Sequence, residues 1–441
     1  IIIKPEVTHR KKVSVPFFPR FDGKSAPSSS YPIFRMTKKN IAVFSVLTLT
    51  VILSCLFYIV HDNRYFTKTP TPSYHSNFSA APDDARPGYK NKNPLTCLYN
   101  TAHPINQTKK EWKQCLDPGK KPEYYLSIVL VTRMDDYAGN QHHRFQNFID
   151  STYLLAEQSQ QKIELLIIEW NPPVNKRRIL DTFRFRGSKY LNHRIITVSK
   201  EIHQRVPNIG NAPLHEFEGK NVGIRFARGE YIVCTNQDDI WSHNFMNAVK
   251  SKVFEKDTIY TQFQSPHNIH ENLPPSIVNL APFPDDETLY NACKLSDQDW
   301  GNYNLPPAVP SSIINHENYW YYGDQAGDFT MAHRDTWKDC RGYRETGGVA
   351  WMDIEFILSA IGQFKKQLVY SGDSFACHQE HPNEWEKTPD RHTKPQDAQG
   401  IDDLITGKKK LSNKEGHWGL QQIDIWKYGL ECHDFHGGLC L

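Results

Sequence analysis

The chain has 441 residues, enough for a tail, a membrane segment and one large domain or two small ones. Its formal net charge of +3 is spread along the sequence, which excludes the concentrated basic face that a nucleic-acid partner needs. Aromatic residues make up 12% of it, with 10 Trp and 21 Tyr, more than a disordered or fibrous chain carries and suited to exposed ring-stacking surfaces as well as a core.

Residues 1–35 precede the first methionine, Met36, and read as a truncated tail or as translated upstream sequence without a role. From Ile41 to Val60 the chain is apolar and uncharged, and about 20 such residues at helical rise cross a hydrocarbon core. Arg35, Lys38 and Lys39 precede this segment and no small-residue cleavage motif follows it. It therefore predicts an uncleaved signal anchor, with 1–40 cytoplasmic, 41–60 in the membrane and the remainder lumenal. The opposite flank, with His61, Asp62, Arg64 and Lys68, keeps the charge asymmetry modest. Glycosylation acceptors at Asn77-Phe78-Ser79 and Asn106-Gln107-Thr108 agree with a lumenal position. Of nine cysteines only Cys55 falls in the anchor; Cys97, Cys115, Cys234, Cys293, Cys340, Cys377, Cys432 and Cys440 would face a compartment that permits disulfides. Cys97–Cys115 and Cys432–Cys440 are the local pairing guesses. Residues 61–120, rich in Pro, Ser, Thr, Asn and Lys and without hydrophobic periodicity, read as a flexible stem.

The expected domain runs from 121 to 441. Tyr125 to Thr132 is a nearly continuous apolar run, as in a strand buried on both faces of a parallel sheet. A polar loop, 133–140, leads to a helix from about His142 to Glu157, and Ile163 to Trp170 gives a second strand, stopped by Asn171-Pro172-Pro173. His193 to Val198 predicts a third strand, Lys220 to Arg228 a helix, and Glu230 to Thr235 a fourth strand. This alternation predicts an α/β fold with a mostly parallel central sheet flanked by helices, whose ligands sit at the strand C-terminal ends. The Pro- and Asn-rich part from about 260 to 320 suits an inserted acceptor-binding region. Gln367 to Tyr370 reads as a further strand, Lys408-Lys409-Lys410 as a solvated loop, and Trp418 to Tyr428 as a helix packing back on the core.

Ala227-Arg228-Gly229-Glu230-Tyr231 feeds an apolar strand that delivers Asn236-Gln237-Asp238-Asp239 at its tip. Here the sequence resembles the GT-A class of nucleotide-sugar glycosyltransferases, in particular its inverting, family 2-like branch. Those enzymes carry an Ala-basic-Gly-Glu-Tyr stretch before an Asp-x-Asp motif at the same strand end, and by motif order the likeness covers roughly 125–380. It implies a Rossmann-like domain for nucleotide-diphospho-sugars and a divalent cation, Mn²⁺ or Mg²⁺, offsetting the diphosphate charge. By position Asp238 is the implied metal carboxylate, with Asp239 following it, and the motif's first acid falls on Asn236, which implies contact with ribose or with a metal-bound water.

The same resemblance implies donor contacts from Thr132, Arg133 and Asp136 after the first strand, Glu169 at the end of the second, and Lys220 and Asn221. Gly327-Asp328-Phe329 resembles the family's Gly-Asp-Phe element, which places Asp328 near the acceptor. Asp353 falls on the acidic pair that holds the family's general base, with Met352 in the other acid's place and Glu355 as runner-up. Ahead of it, Gly347, Gly348 and Trp351 read as a closing lid, and His378 or His381 as completing the metal or diphosphate site. The implied partners are a nucleotide-sugar donor and a glycan, glycoprotein or glycolipid acceptor. The departures at Asn236 and Met352 favour one rival, a non-catalytic glycan-binding or scaffolding protein on the same fold. A metal-dependent hydrolase is another, and leaves the anchor, stem and Ala-Arg-Gly-Glu-Tyr stretch unexplained. If Asn77 and Asn106 are lumenal, endoglycosidase treatment of cell-expressed protein increases its gel mobility; an unshifted band, with the domain open to protease in intact vesicles, reverses the topology.

Overall fold

The computed structural model describes residues 109–262, 283, 285–293, 305–323, 326–370, 375–379, 381–382 and 387–437. All lie in the compact unit that runs from Ser79 to Leu441. The expected anchor at 41–60, both glycosylation acceptors, Cys97 and Cys440 fall outside the described residues, among which no helix is long and apolar enough to cross a membrane.

An eight-stranded sheet organises the domain, in the order β10-β3-β2-β1-β4-β7-β6-β8. Its centre is parallel: β3 (Leu191–Val198), β2 (Ile163–Trp170), β1 (Tyr124–Thr132) and β4 (Gly229–Thr235). Beyond β4, β7 (Phe329–His333) runs antiparallel, then β6 (Thr258–Thr261) and β8 (Gln367–Tyr370), which are parallel to one another. A short pair, β5 (Asp239–Trp241) and β9 (Ala376–His378), stands apart from this sheet. The central strands read as unbroken apolar runs because both faces are covered, and alternate residues go to opposite layers. Leu126, Ile128 and Leu130 join one core cluster, with α2 (Gln141–Ser159) and α4 (His243–Ser251); Val129 and Val131 join the other, with α3 (Glu216–Phe226) and α6 (Met352–Gly362).

The helix expected at 220–228 begins and ends earlier, at Glu216 and Phe226. Two glycines inside it, poor helix formers, are there for contact: a Cβ on Gly223 would come within 2.2 Å of Val129 Cγ1, and one on Gly219 within 2.7 Å of Val131 Cγ1. Their absence of side chain lets α3 lie directly on β1 and carries Lys220 under the strand ends. The segment 418–428 is a series of turns and not the expected helix. The C-terminal part instead supplies α7 (Ala398–Thr406) and β10 (Leu430–Phe435), which covers the open edge of β3 antiparallel.

Both local disulfide guesses are overturned. Cys115 bonds Cys432, joining α1 (Lys109–Cys115) to β10, and Cys293 bonds Cys377. The reason is topological: β10 returns to β3 from the far end of the chain, and α1 packs against it. This helix lies upstream of the expected domain start at 121. Cys234 and Cys340 are buried free thiols, each pushed up to about 12 by burial, which leaves them unreactive.

α3 also carries Glu218, whose Oε1 accepts from Gly347 N at 2.7 Å, and so ties the helix to the glycine pair expected as a lid. Its Oε2 and both ring nitrogens of the neighbouring His215 are buried without a hydrogen bond. Burial, then the nearby Glu345 carboxylate, pushes Glu218 up from 4.5 to about 8. The folded form thus keeps a proton that the unfolded chain releases, so this group's contribution to stability falls as pH rises from about 4.5 to about 8 and is flat above. Glu218→Gln keeps the oxygen for Gly347 and cannot ionise; its melting temperature should match wild type near pH 5 and exceed it by roughly 5 °C at about pH 8.5. An equal difference at both pH values would show that Glu218 titrates normally.

Candidate active site

β4 ends at Thr235, the chain turns through Asn236-Gln237-Asp238, and β5 then pairs antiparallel with β9 so that Asp239 stands opposite His378. Gln262 fixes β9: its buried amide accepts from Phe375 N and Ala376 N at 2.8 and 2.7 Å and donates to Ala376 O at 2.7 Å. The register brings Asp238, His378 and His381 together, one ligand atom from each lying within 4.8 Å of the others. His381 Nε2 is 3.1 Å from Asp238 Oδ2 and 3.0 Å from His378 Nε2, while His378 Nδ1 is 3.4 Å from Asp239 Oδ1. Burial acts to lower His378, but the carboxylates of Asp238, Asp328 and Asp239 outweigh it and push the ring up to about 10. Burial acts to raise Asp238, and His378, His381 and Arg144 outweigh it, holding this carboxyl well below the usual range.

One carboxylate and two imidazoles form a donor set suited to a divalent transition ion. Asp238 Oδ1 is buried without a hydrogen bond and faces His378 Nδ1 at 3.7 Å. The residues fit the implied metal. Asp239 stands outside the cluster. Its carboxylate accepts from Thr235 Oγ1 at 2.5 Å and from Asn236 N at 3.4 Å, and so holds the turn and the facing side of His378.

A second wall runs from Asn236 to Asp353. Lys220, fully buried, donates to Glu216 Oε1 at 2.5 Å, Gly327 O at 2.6 Å and Asn236 Oδ1 at 3.1 Å. Asn236 donates in turn to Asp328. Gly327 N donates to Asp353 Oδ2 at 2.8 Å, and a Cβ on that glycine would sit 3.4 Å from the same oxygen. Burial raises Asp328, with Asp239 and Asp238 adding to it, and burial also pushes Asp353 up to about 6.

The β1 loop joins this wall through Gln141. Its Nε2 donates to Gln237 Oε1, Arg133 O and Thr132 Oγ1 at 2.9, 2.7 and 3.2 Å, and its Oε1 accepts from Asp136 N at 2.7 Å. Arg133 reaches Asn171 O and Asp135, both at 2.8 Å.

Three expected site residues are committed elsewhere. Glu169 is buried and accepts from Arg178 Nε, Ile179 N and Thr197 Oγ1 at 2.6, 2.8 and 2.9 Å. The Asn221 amide is spent on Tyr343 and Glu345 at 2.7 to 2.9 Å. Glu355 accepts from Arg344 Nε and Nη2, at 2.6 and 2.8 Å, and from the Gln396 amide. Trp351 is half-buried, left-handed at φ 78° just before α6, with its ring edge-on to Trp320 at 5.3 Å. Arg144, Glu216, Gln237 and Gln379 belong to the site and were not expected. Arg144 sits inside a helix with no motif, and Gln379 lies between the two expected histidines; their buried contacts with Asp238 reveal both.

No protein-family model matches the chain. Over 103 residues it is 29% identical to the glycosyltransferase GlyG of Streptococcus pneumoniae serotype 4, a stretch that spans 23% of this chain and 29% of that protein. Among solved structures it is similar to S. aureus TarS residues 1–349, at a TM-score of 0.34 and 11% identity over 58% of this chain and 60% of that one. It is similar also to the catalytic domain of Drosophila β1,4-galactosyltransferase 7 in complex with xylobiose, at a TM-score of 0.30 and 10% identity over 66% and 81%.

If Asp238 is the metal carboxylate, Asp238→Ala abolishes Mn²⁺ binding by calorimetry while melting stays cooperative. Unchanged affinity removes Asp238 from the site.

Proposed function

We propose that this chain is a metal-dependent glycosyltransferase that moves a sugar from a nucleoside-diphosphate sugar to a hydroxyl of a glycan, glycoprotein or glycolipid, with inversion. The observation that carries this reading is the Asp238–His378–His381 cluster at the strand ends, with a separate carboxyl at Asp353, raised by burial to about 6, tied to the same strand end through Gly327, Lys220 and Asn236. The partial sequence similarity to a glycosyltransferase supports it. A divalent cation, Mn²⁺ or Mg²⁺, held by these three residues supplies the positive charge that a diphosphate leaving group needs. Thr132, Arg133, Asp136 and Asn236 line the donor side and Lys220 holds Asn236 and Gly327 in register beneath it.

Asp353 takes the proton from the acceptor hydroxyl as that oxygen attacks the anomeric carbon. A carboxyl near pKa 6 is mostly ionised at neutral pH yet more basic than an ordinary aspartate, which is what a general base requires. The Gly327 amide orients it, and Asp328 and Trp351 border the acceptor side. We place the domain in the lumen of the Golgi or endoplasmic reticulum, carried on a stem by the 41–60 anchor as a single-pass type II protein.

Asp353→Asn keeps the size and the contact with Gly327 but cannot accept the proton, so donor affinity persists while kcat falls about 10²-fold or more. Glu355→Gln, which only loosens the Arg344 pair, lowers stability and leaves most of the turnover. The opposite pattern in the two variants exchanges their roles, and two active variants end the inverting-base reading of this segment.

A further inference from the structure

Arg144, on the first turns of α2, is nearly fully buried and serves two structures at once. One arm, Nη1, donates to Asp238 Oδ2, the oxygen that also lies 3.1 Å from His381 Nε2. The other arm, Nη2, donates to Tyr137 O and, at 3.1 Å, to Gly139 O. Those carbonyls belong to the β1 loop, where Asp136, Ala138, Gly139 and Asn140 all have positive φ, between 51° and 75°. Three of the four are not glycine, so the loop holds a backbone shape that its residues disfavour and that its surroundings must impose. Asn140 stands at the helix N-cap without a side-chain cap, so the helix start does not impose it. From the other side, the ring of Tyr137 rests edge-on against His381 at 5.6 Å. Loop, guanidinium, carboxylate and imidazole thus close a circle around the cation cluster.

We propose that Arg144 is a positioning residue that couples the cation to the donor loop: a divalent cation and the guanidinium compete for the Asp238 carboxylate, so that binding of the cation releases the clamp on residues 136–140. This rests on reading Asp238, His378 and His381 as the cation site. Without the cation, Arg144 neutralises Asp238 and keeps the loop in its strained form. With the Asp238 charge shared with a cation, the guanidinium would lose much of that anchor, and the loop that carries Asp136 would be free to adapt to a donor. A divalent cation and a guanidinium on one buried carboxylate stand within a few ångströms of each other and repel strongly at low dielectric, so each weakens the other's hold on Asp238.

The test uses the full chain with Mn²⁺ alone, reading Mn²⁺ affinity by titration and amide hydrogen exchange of the 134–143 segment. In the wild type, saturating Mn²⁺ should speed exchange in that segment several-fold. Arg144→Gln removes the competitor, so Mn²⁺ affinity should rise about tenfold and the segment should exchange fast with or without the ion. Arg144→Lys keeps a charge but cannot bridge the carboxylate and both carbonyls. Its Mn²⁺ affinity should stay within about threefold of wild type while its loop loses the response to the ion. Wild-type Mn²⁺ binding with no change in loop exchange overturns the coupling and leaves the cation site standing. An Mn²⁺ affinity that falls or is unchanged in Arg144→Gln overturns the competition. Absence of Mn²⁺ binding in the wild type removes the cation site and the proposal together.

Discussion

The pairing of β5 with β9 is the constraint on which the site depends. Asp238 and Asp239 are delivered by the end of β4, but His378 and His381 come from a segment well over a hundred residues later, and only the Asp239–His378 register brings them face to face. A slip of one residue would turn His378 to the opposite face, since side chains alternate along a strand. The register is accordingly held from several directions. Gln262 grips the backbone of β9 through three hydrogen bonds, the Cys293–Cys377 disulfide anchors its centre, and Trp241 at the far end of β5 donates to Thr152 on α2 at 2.9 Å.

Around that pairing the molecule gathers charges of both signs in a buried space. Asp238, Asp239, Asp328, Asp353 and Glu216 face Arg144, Lys220 and the two histidines. A buried charge without a partner is costly, and such a group responds by shifting its protonation. That response is visible in Asp328 and Asp353, which burial raises, and in His378, which its acidic neighbours raise. A divalent cation on Asp238, His378 and His381, as proposed above, would add positive charge at its centre. The carboxyl of Asp353, raised by burial, lies at the edge, held by the Gly327 amide. Charge balance and chemistry are here the same arrangement seen from two sides.

Much of this was legible beforehand. The apolar runs of β1, β2 and β4, the long helix between the first two strands, and the carboxylates at the end of β4 all follow from local pattern, and the strands formed within about a residue of expectation. Asp238, His378, His381 and Asp353 came from motif order, and the fold brings them to one end of the sheet. The same reading put Glu169, Asn221 and Glu355 in the site, where each is instead consumed by a structural partner. Nothing local to Glu169 announces that Ile179 N and Arg178 will occupy its carboxylate, or local to Glu355 that Arg344 will clasp it in two places.

What the sequence determined by itself was the identity and order of β1 to β4 and of the helices α2 and α3 between them. Hydrophobic periodicity and turn chemistry are properties of neighbours along the chain, and they act before any tertiary contact forms. Only the tertiary structure decided the pairing of distant parts. Cys115 meets Cys432 because β10 closes the edge of β3, and Arg144 meets Asp238 because α2 packs beneath the turn after β4. A side chain's role depends on which partner reaches its oxygen or nitrogen first. That is set by how the layers stack, which no local pattern in the chain records.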